Sequence, residues 1–520
     1  MKRALAAGML LSLIAAPALA AQSPLDAVAT RPELAHAIVS GEVYDLDTGR
    51  VLYARNPQTL MEAASTTKLV TTGTALSILG PNFRWTTNVY RTGPVDAAGT
   101  LHGDVVLVAS GDPNLSQRIQ PDGTLAFENE DHIYGGSLDT RAVPGDPLAV
   151  LREFATQIST QAGIKHVDGN VVVDTSLFPN QPPEAGTGTV VSPIIINDNV
   201  IDVTLKGGAQ PGDPVTIALS PDIGYVKVVD KMKTSASDAN YEPSWNDTRN
   251  PDGTRTLTMS GTVPAGKSIL DDYPIPEPKV FAQMAFTAVL DQAGVTVTPP
   301  AGAPAPVETN ASPAYKDVNR IAQHVSPPFS EDVKVTLKVS HNTHAALMPF
   351  TWAIYGPAQA KGDFLKTAFA QERALLTKAG LPVTSAVQQD GLGGHAFFTP
   401  DFMVHYLAWA AKQPWFGVMR KGLPILGVDG TLYNVQNGSP ADGKVFAKTG
   451  SWGSADLLND RGLVTKGLAG YTTTRSGHHV AFAFWINRMP GKSSLDVNKD
   501  ATHHAGELLG EMAADTYLKY

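Results

Sequence analysis

Ser65-Thr66-Thr67-Lys68 opens a stretch in which Leu69, Val70, Ala75, Leu76 and Leu79 recur at helical spacing. The spacing predicts a buried helix, with Ser65 and Lys68 one turn apart on one face. A hydroxyl at a helix N-terminus, one turn from an amine, is the geometry of an activated serine nucleophile. Serine is also a favoured helix cap and lysine a common surface residue, so the tetrapeptide alone decides little. Ser-x-x-Lys occurs once in 520 residues. Its weight comes from two further motifs downstream in the chain.

Ser340-His341-Asn342 lies in a helix-like stretch, Lys334 to Met348. Ser-x-Asn is a weak pattern and recurs at Ser244-Trp245-Asn246. Lys448-Thr449-Gly450 ends a strand-like run, Val445-Phe446-Ala447, and Lys-[Ser/Thr]-Gly occurs only there. A lone Lys-Thr-Gly is an edge strand running into a turn. Ser-x-x-Lys, Ser-x-Asn and Lys-Thr-Gly in this order form the set carried by penicillin-binding proteins and β-lactamases.

Composition narrows the class. Residues 1–20 read as a secretory signal: Lys2 and Arg3, an apolar run from Leu5 to Ala16, and Ala18-Leu19-Ala20 as a cleavage site. The protein is therefore expected to be exported, periplasmic or beyond, with cleavage near Ala20. The formal charge is -9, and loss of Lys2 and Arg3 makes the mature chain more acidic. That argues against nucleic acid or anionic lipid as partner. Without cysteine, disulfides, cysteine catalysis and thiolate metal sites are excluded.

Along the chain, Ala37 to Val43 and Val51 to Ala54 read as strands joined by Asp45-Leu46-Asp47-Thr48-Gly49, a hairpin. From about Trp85 to Pro313 the chain is rich in Gly, Pro, Asp and Thr, with short β-like runs. Asp230 to Arg255 reads as polar and loop-rich, and Pro299 to Pro313 as a connector. Helical periodicity then returns. The final helix, about Ala501 to Tyr517, sets Ala505, Leu508, Leu509, Met512, Ala513 and Tyr517 on one face. Its other face carries Glu507, Glu511 and Asp515, so core packing is the better reading than a membrane anchor.

Longer stretches around the motifs resemble the D-alanyl-D-alanine carboxypeptidases/endopeptidases of the class C low-molecular-mass penicillin-binding proteins. Ala64 to Leu69 resembles their nucleophile segment. Ser110 to Leu115 and Asn197 to Val200 resemble signatures of their inserted domains. Ser326-Pro327-Pro328 leads into the Ser340 helix as in relatives. Leu423-Pro424-Ile425 with Gly427 to Leu432, and Lys448-Thr449-Gly450 followed by Leu468 to Tyr471, are further matches. Three departures stand out. Asp390-Gly391-Leu392-Gly393-Gly394-His395 replaces a usual Asp-Gly-Ser-Gly-Leu-Ser. An acidic residue common after the Ser-x-Asn helix start is replaced around Ala345-Ala346. Asp456 to Lys466 reads as an extra loop.

The resemblance implies an α/β (α+β) transpeptidase/β-lactamase-like domain, an antiparallel sheet between helical layers, built from residues 21–84 and 314–520. Residues 85–313 are then an inserted region of two mainly β domains; so long a gap between motifs is no ordinary loop. The implied activity is a serine D-Ala-D-Ala carboxypeptidase on peptidoglycan stem peptides, with DD-endopeptidase activity as an open alternative beside it. It is expected to be inhibited by β-lactam antibiotics and to need no cofactor or metal. Ser65 is the nucleophile, Lys68 the base and Ser340 the proton relay. Asn342, Lys448, Thr449, Gly450 and Ser451 bind substrate, Ser65 and Ser451 giving the oxyanion-hole N–H groups. Histidine chemistry is a weak alternative: His341 and His344 read as packing or rim residues, and Glu128 to His132 as a solvated loop. The rivals are a β-lactamase or esterase on the same fold, and a non-catalytic peptidoglycan-binding protein. The last would need neither Ser65 nor Lys68.

Overall fold

The computed structural model describes residues 23–184, 186–299, 315–491 and 500–520. The signal segment and nearly all of the proline-rich connector lie outside the described residues. The predicted hairpin forms from strands Ile38–Asp45 and Arg50–Arg55. Asp45 Oδ1 accepts from the N–H groups of Asp47 (2.8 Å) and Thr48 (3.0 Å) and so closes the turn. This N-terminal hairpin completes a five-stranded antiparallel sheet with three C-terminal strands, in the order Val445–Asp456, Arg461–Thr473, His479–Pro490, Ile38–Asp45, Arg50–Arg55. The two ends of the chain thus meet in one sheet, and the middle is looped out between them.

The strand His479–Pro490 is apolar without interruption from Val480 to Ile486 because both faces of the sheet are covered. Ala481, Ala483 and Trp485 face one core with Leu69, Val70 and Leu76 of the helix Thr67–Leu79. Val480, Phe482, Phe484 and Ile486 face the other, with Leu508, Leu509 and Met512 of the helix Asp500–Lys519. Each large side chain so buried contributes about 1.5–3 kcal/mol. The C-terminal helix therefore packs as predicted, and among the described residues no helix is long and apolar enough to cross a membrane.

The looped-out region has a core of its own, from Val89 to Ala322, under small sheets and the helix Pro278–Gln292. Here the structure corrects the reading of Asp230 to Arg255. Val226–Ser235, Glu242–Arg249 and Arg255–Pro264 form a three-stranded sheet. Its polar sequence reflects solvent exposure: the strand Glu242–Arg249 is exposed along nearly its whole length. The reading of Asp456 to Lys466 is corrected likewise. The Lys-Thr-Gly strand and its neighbour stay paired as far as Asp456↔Arg461, so this is the end of a long hairpin. Gly453, Asp456, Asn459 and Gly462, residue types depleted in strands, hid it.

A buried ionic network ties this region to the helices around Ser340. Arg118 donates to both oxygens of Asp131 (2.8 and 2.6 Å) and to Asp198 (2.9 Å). His132 bridges Asp198 (2.9 Å) and Asp202 (2.7 Å). His344 lies 3.0 Å from Asp198 and 2.8 Å from Asp332. Burial alone would lower the pKa of His344, but Asp332 and Asp198 overcome it and raise it to about 9. His341 is held down to about 3 by burial and by His344. Glu128 to His132 is thus no simple solvated loop: Asp131 and His132 are fully buried, as are His341 and His344, which sit well inside any rim. Asn197, Asp198 and Asn199 all adopt positive φ (49, 57 and 57°), a strained backbone for non-glycine residues, to aim Asp198 into the network.

Arg118→Ala takes the bidentate cation from buried Asp131 and leaves Asp198 with only its histidine partners. Urea unfolding is expected to show a loss of about 3–5 kcal/mol; a loss within experimental error would mean the network contributes no net stability.

Candidate active site

Ser65 occupies the single turn Ala64–Thr66 that opens into the helix Thr67–Leu79, two residues ahead of its first residue. Ala64 has φ +46°, an unusual value that turns the chain sharply and leaves Ser65 half-buried at the floor of a cleft of about 1290 Å³. Lys68, on the first turn of the helix, is fully buried. Its Nζ lies 2.8 Å from Ser65 Oγ, 2.7 Å from Ser340 O, 3.1 Å from Ser340 Oγ and 2.6 Å from Asn342 Oδ1. Burial lowers its pKa to about 7, against the raising effect of Glu184 and Asp390.

Four oxygens around one nitrogen decide the arrangement of hydrogens. An ammonium has three N–H bonds; a neutral amine has two and a lone pair. The carbonyls of Ser340 and Asn342 can only accept. A neutral Lys68 that donates to both points its lone pair towards the serine hydroxyls, where it can take the proton of Ser65.

The structure corrects the helical context predicted for Ser340. One helix, Phe329–Lys338, ends before it, and another, Asn342–Tyr355, begins after it. Ser340 joins them with φ +62°. This left-handed turn directs both its carbonyl and its hydroxyl at Lys68. Asn342 opens the second helix, and its Nδ2 donates to Glu184 Oε2 at 3.0 Å. A carboxylate accepts only, so that contact fixes the amide orientation and leaves Oδ1 for Lys68.

Lys448 is fully buried on the edge strand. Its Nζ donates to Ser340 Oγ and to Thr449 O, both at 2.8 Å. Burial, Lys68 and Lys466 hold its pKa well below the usual lysine range. The Thr449 hydroxyl donates to Thr431 Oγ1 at 2.7 Å, and Ser451 Oγ accepts from Lys466 at 2.7 Å. A Cβ on Gly450 would lie 2.7 Å from Ala63 O and 3.1 Å from Ser65 N, so only glycine lets the strand press against the nucleophile turn. The variant Asp390–Gly394 loop still serves the same turn. Asp390 Oδ1 gathers the N–H groups of Leu392, Gly393 and Gly394, and a Cβ on Gly393 would collide with Ala64 O.

All the residues singled out from the sequence thus gather at one cleft or directly beneath it. Sequence reasoning missed Tyr134, whose hydroxyl donates to Ser340 O at 2.7 Å, as well as Glu184 and Lys466. The first two come from the looped-out region, and nothing local marks them. Thr431 lay inside the quoted Gly427 to Leu432 segment, the one signal available.

The sequence profile of the D-Ala-D-Ala carboxypeptidase 3 (S13) family matches residues 21–507, and the chain belongs to this family. It is a serine-type D-Ala-D-Ala carboxypeptidase by that membership. It is 25% identical over 479 residues to a D-alanyl-D-alanine carboxypeptidase of an Actinomadura species, covering 87% of this chain and 80% of that one. It is 23% identical over 465 residues to a D-alanyl-D-alanine carboxypeptidase of Haemophilus influenzae, covering 85% and 84%. The crystal structure of penicillin-binding protein 4 from Haemophilus influenzae shares the fold, with a TM-score of 0.69 at 20% identity, covering 95% of this chain and 98% of that one. The same protein has been solved in complex with a β-lactam.

Gly450→Ala should push the edge strand off the nucleophile turn. A displacement near 1 Å is expected to cut kcat/KM on a D-Ala-D-Ala peptide about a hundredfold, with the melting temperature little changed. Wild-type kcat/KM would show that the close approach is dispensable.

Proposed function

We propose that Ser65 attacks the carbonyl carbon of the bond between two D-alanines at the end of a peptidoglycan stem peptide. The observation that carries this reading is an unbroken chain of contacts, Ser65 Oγ to Lys68 Nζ at 2.8 Å, Lys68 Nζ to Ser340 Oγ at 3.1 Å, and Ser340 Oγ to Lys448 Nζ at 2.8 Å. Neutral Lys68 takes the Ser65 proton as the C–O bond forms. The proton passes through Ser340 Oγ to the departing amine as the C–N bond breaks, and D-alanine leaves. Water then attacks the acyl-enzyme, breaks the ester and restores Ser65.

The edge strand supplies the remaining contacts. Val445 O accepts from Leu426 N and Ala447 N donates to Pro424 O, both at 3.0 Å. Main-chain groups alternate sides along a strand, so those of Thr449, Ser451 and Gly453 face the cleft. That parity supports an oxyanion hole made by the Ser65 and Ser451 N–H groups. Lys448 and Thr449 hold the terminal carboxylate, and Asn342 holds the peptide. An arriving carboxylate favours the ammonium form of Lys448, and the repulsion between the two lysines then keeps Lys68 neutral.

The cleft around Ser65, about 1290 Å³, is open to solvent, and we include DD-endopeptidase activity and inhibition by penicillin in the proposal. We also assign residues 21–84 and 314–520 to the catalytic domain and 85–313 to the inserted region, and infer export to the periplasm behind a cleaved signal. A separate hydrophobic core supports an inserted region of its own, and that core also takes in Ile321 and Ala322, beyond the second boundary.

Labelled penicillin is expected to form an adduct that mass spectrometry maps to Ser65 and that Ser65→Ala abolishes. Persistent labelling of the variant would refute the nucleophile, and rapid sustained turnover of penicillin would favour a β-lactamase.

Lys68 must be neutral to act, and its pKa is lowered to about 7. The acylation rate should therefore rise with pH through about 7 and level off above it. A rate that falls over that range would exclude Lys68 as the base.

Amidation of the terminal D-alanine removes a charge-assisted contact of about 1.5–3 kcal/mol, and is expected to lower kcat/KM by about ten- to a hundredfold. Thr449→Val should blunt that discrimination. Equal rates on both peptides would refute the carboxylate anchor.

A further inference from the structure

Glu184 lies far in sequence from every motif and reaches the catalytic centre from the looped-out region. Its Oε2 accepts from Asn342 Nδ2 at 3.0 Å and from Gly186 N at 2.8 Å. Its Oε1 accepts from the N–H and the hydroxyl of Thr187. The carboxylate is thus held by its own turn and buried, with one edge turned to Asn342. The turn comes so close that a Cβ on Gly186 would collide with Asn342 Nδ2. Thr189 and Thr343 clamp the same contact through a hydroxyl pair at 2.6 Å.

We propose that Glu184 is a positioning residue for the reaction, setting the orientation of Asn342 and the protonation of Lys68 from outside the catalytic motifs. The inference rests on the proposed role of Lys68 as base. Asn342 has one carbonyl oxygen and two amide hydrogens. By taking one hydrogen, Glu184 turns the oxygen to Lys68, at 2.6 Å. The second hydrogen stays free for a carbonyl of the peptide in the cleft. A rotated Asn342 would set an N–H against the Lys68 N–H groups and an oxygen against a carboxylate, so the rotamer has one stable setting.

Glu184 also acts through charge. The groups facing Lys68 are Glu184 and Asp390, which favour its ammonium, and Lys448, whose own pKa a charge on Lys68 helps to hold down. Both carboxylates are held by donors of their own loops, but only Glu184 also bonds a side chain that touches Lys68. Glu184 is one side chain removed, through Asn342. The Glu184 carboxylate helps to keep the Lys68 pKa near neutrality; without that charge, burial draws it lower.

Two variants separate charge from position. Glu184→Gln keeps an acceptor for Asn342 and loses the charge; Glu184→Ala loses both. The readout is the pH profile of Ser65 acylation by penicillin, alongside kcat/KM on a D-Ala-D-Ala pentapeptide. Removal of the negative charge lowers the Lys68 pKa, so in both variants the acid limb should move towards lower pH by about one unit. The plateau kcat/KM should fall by about threefold or less in Glu184→Gln and by about tenfold or more in Glu184→Ala, where Asn342 can rotate. An acid limb that stays in place in both variants, with only the plateau lowered, would assign Glu184 a purely structural part and overturn the inference. Failure of the underlying role of Lys68 looks different: in the wild-type protein itself the acylation rate would then fail to rise with pH through about 7. If Glu184→Ala does not fold, Glu184→Gln alone still decides the part played by charge.

Discussion

A lysine amine enclosed by protein is the constraint around which this structure is organised. Removing an ammonium from water is costly unless it is paired or becomes neutral. Lys68 has no carboxylate in direct contact; its neighbours are two hydroxyls and two carbonyl oxygens. That set suits a neutral amine, with two donors and one lone pair. Each neighbour is delivered by a different device. Ser65 comes from a tight turn with Ala64 in the left-handed region. Ser340 comes from a left-handed link between two helices. Asn342 is oriented by a carboxylate from elsewhere in the chain.

Two strained residues beside one amine have to be held in place by their surroundings. Ala64 is fixed by Gly393 on one side and Gly450 on the other, both glycines because no Cβ fits. Ser340 is fixed from the looped-out region. Tyr134 bonds its carbonyl, and the helix that begins just after it is pinned through His344 to Asp198. Asp198 is itself held by Arg118 and His132. The looped-out region is therefore a structural partner of the catalytic sheet. It carries the network that keeps the Ser340 turn from relaxing, and buried ion pairs offset its own distortion at residues 197–199.

The sequence made the reaction legible and the support illegible, for a physical reason. Ser65–Lys68, Ser340–Asn342 and Lys448–Gly450 are each set by short-range geometry: a helical turn, a link between helices, a strand. Such spacing survives as a local pattern. The helix at Thr67 and the hairpin at Ile38 were equally plain, because their periodicity matches burial. Glu184 and Tyr134 carry no local pattern; they matter only because distant packing brings them to Ser340 and Asn342. Asp131 and His132 sit in an acidic stretch that looks solvated until Arg118 and Asp198 arrive to bury it. The strands around Glu242 and the hairpin end at Asp456 failed for another reason. Exposed strands carry the polar residues that in a core strand would argue for a loop.

The two buried lysines also bear on the choice of substrate. Lys68 and Lys448 share the hydroxyl of Ser340, and each disfavours a charge on the other. The pocket therefore resists holding two ammonium groups at once. On the proposed assignment, a peptide with a free terminal carboxylate resolves the conflict in the productive direction, placing the charge on Lys448 and leaving Lys68 a free base. A cross-linked peptide without a carboxylate at that point brings no such charge, and its binding must rely on Asn342 and the strand edge. The balance between cutting ends and cutting cross-links is then governed by how strongly Lys68 needs that help. A carboxylate placed as Glu184 is, raising the Lys68 pKa, makes the help matter more. On the proposed roles of Lys68, Lys448 and Glu184, the same inserted side chain that orders Asn342 would tilt the site towards substrates that arrive with a charge of their own.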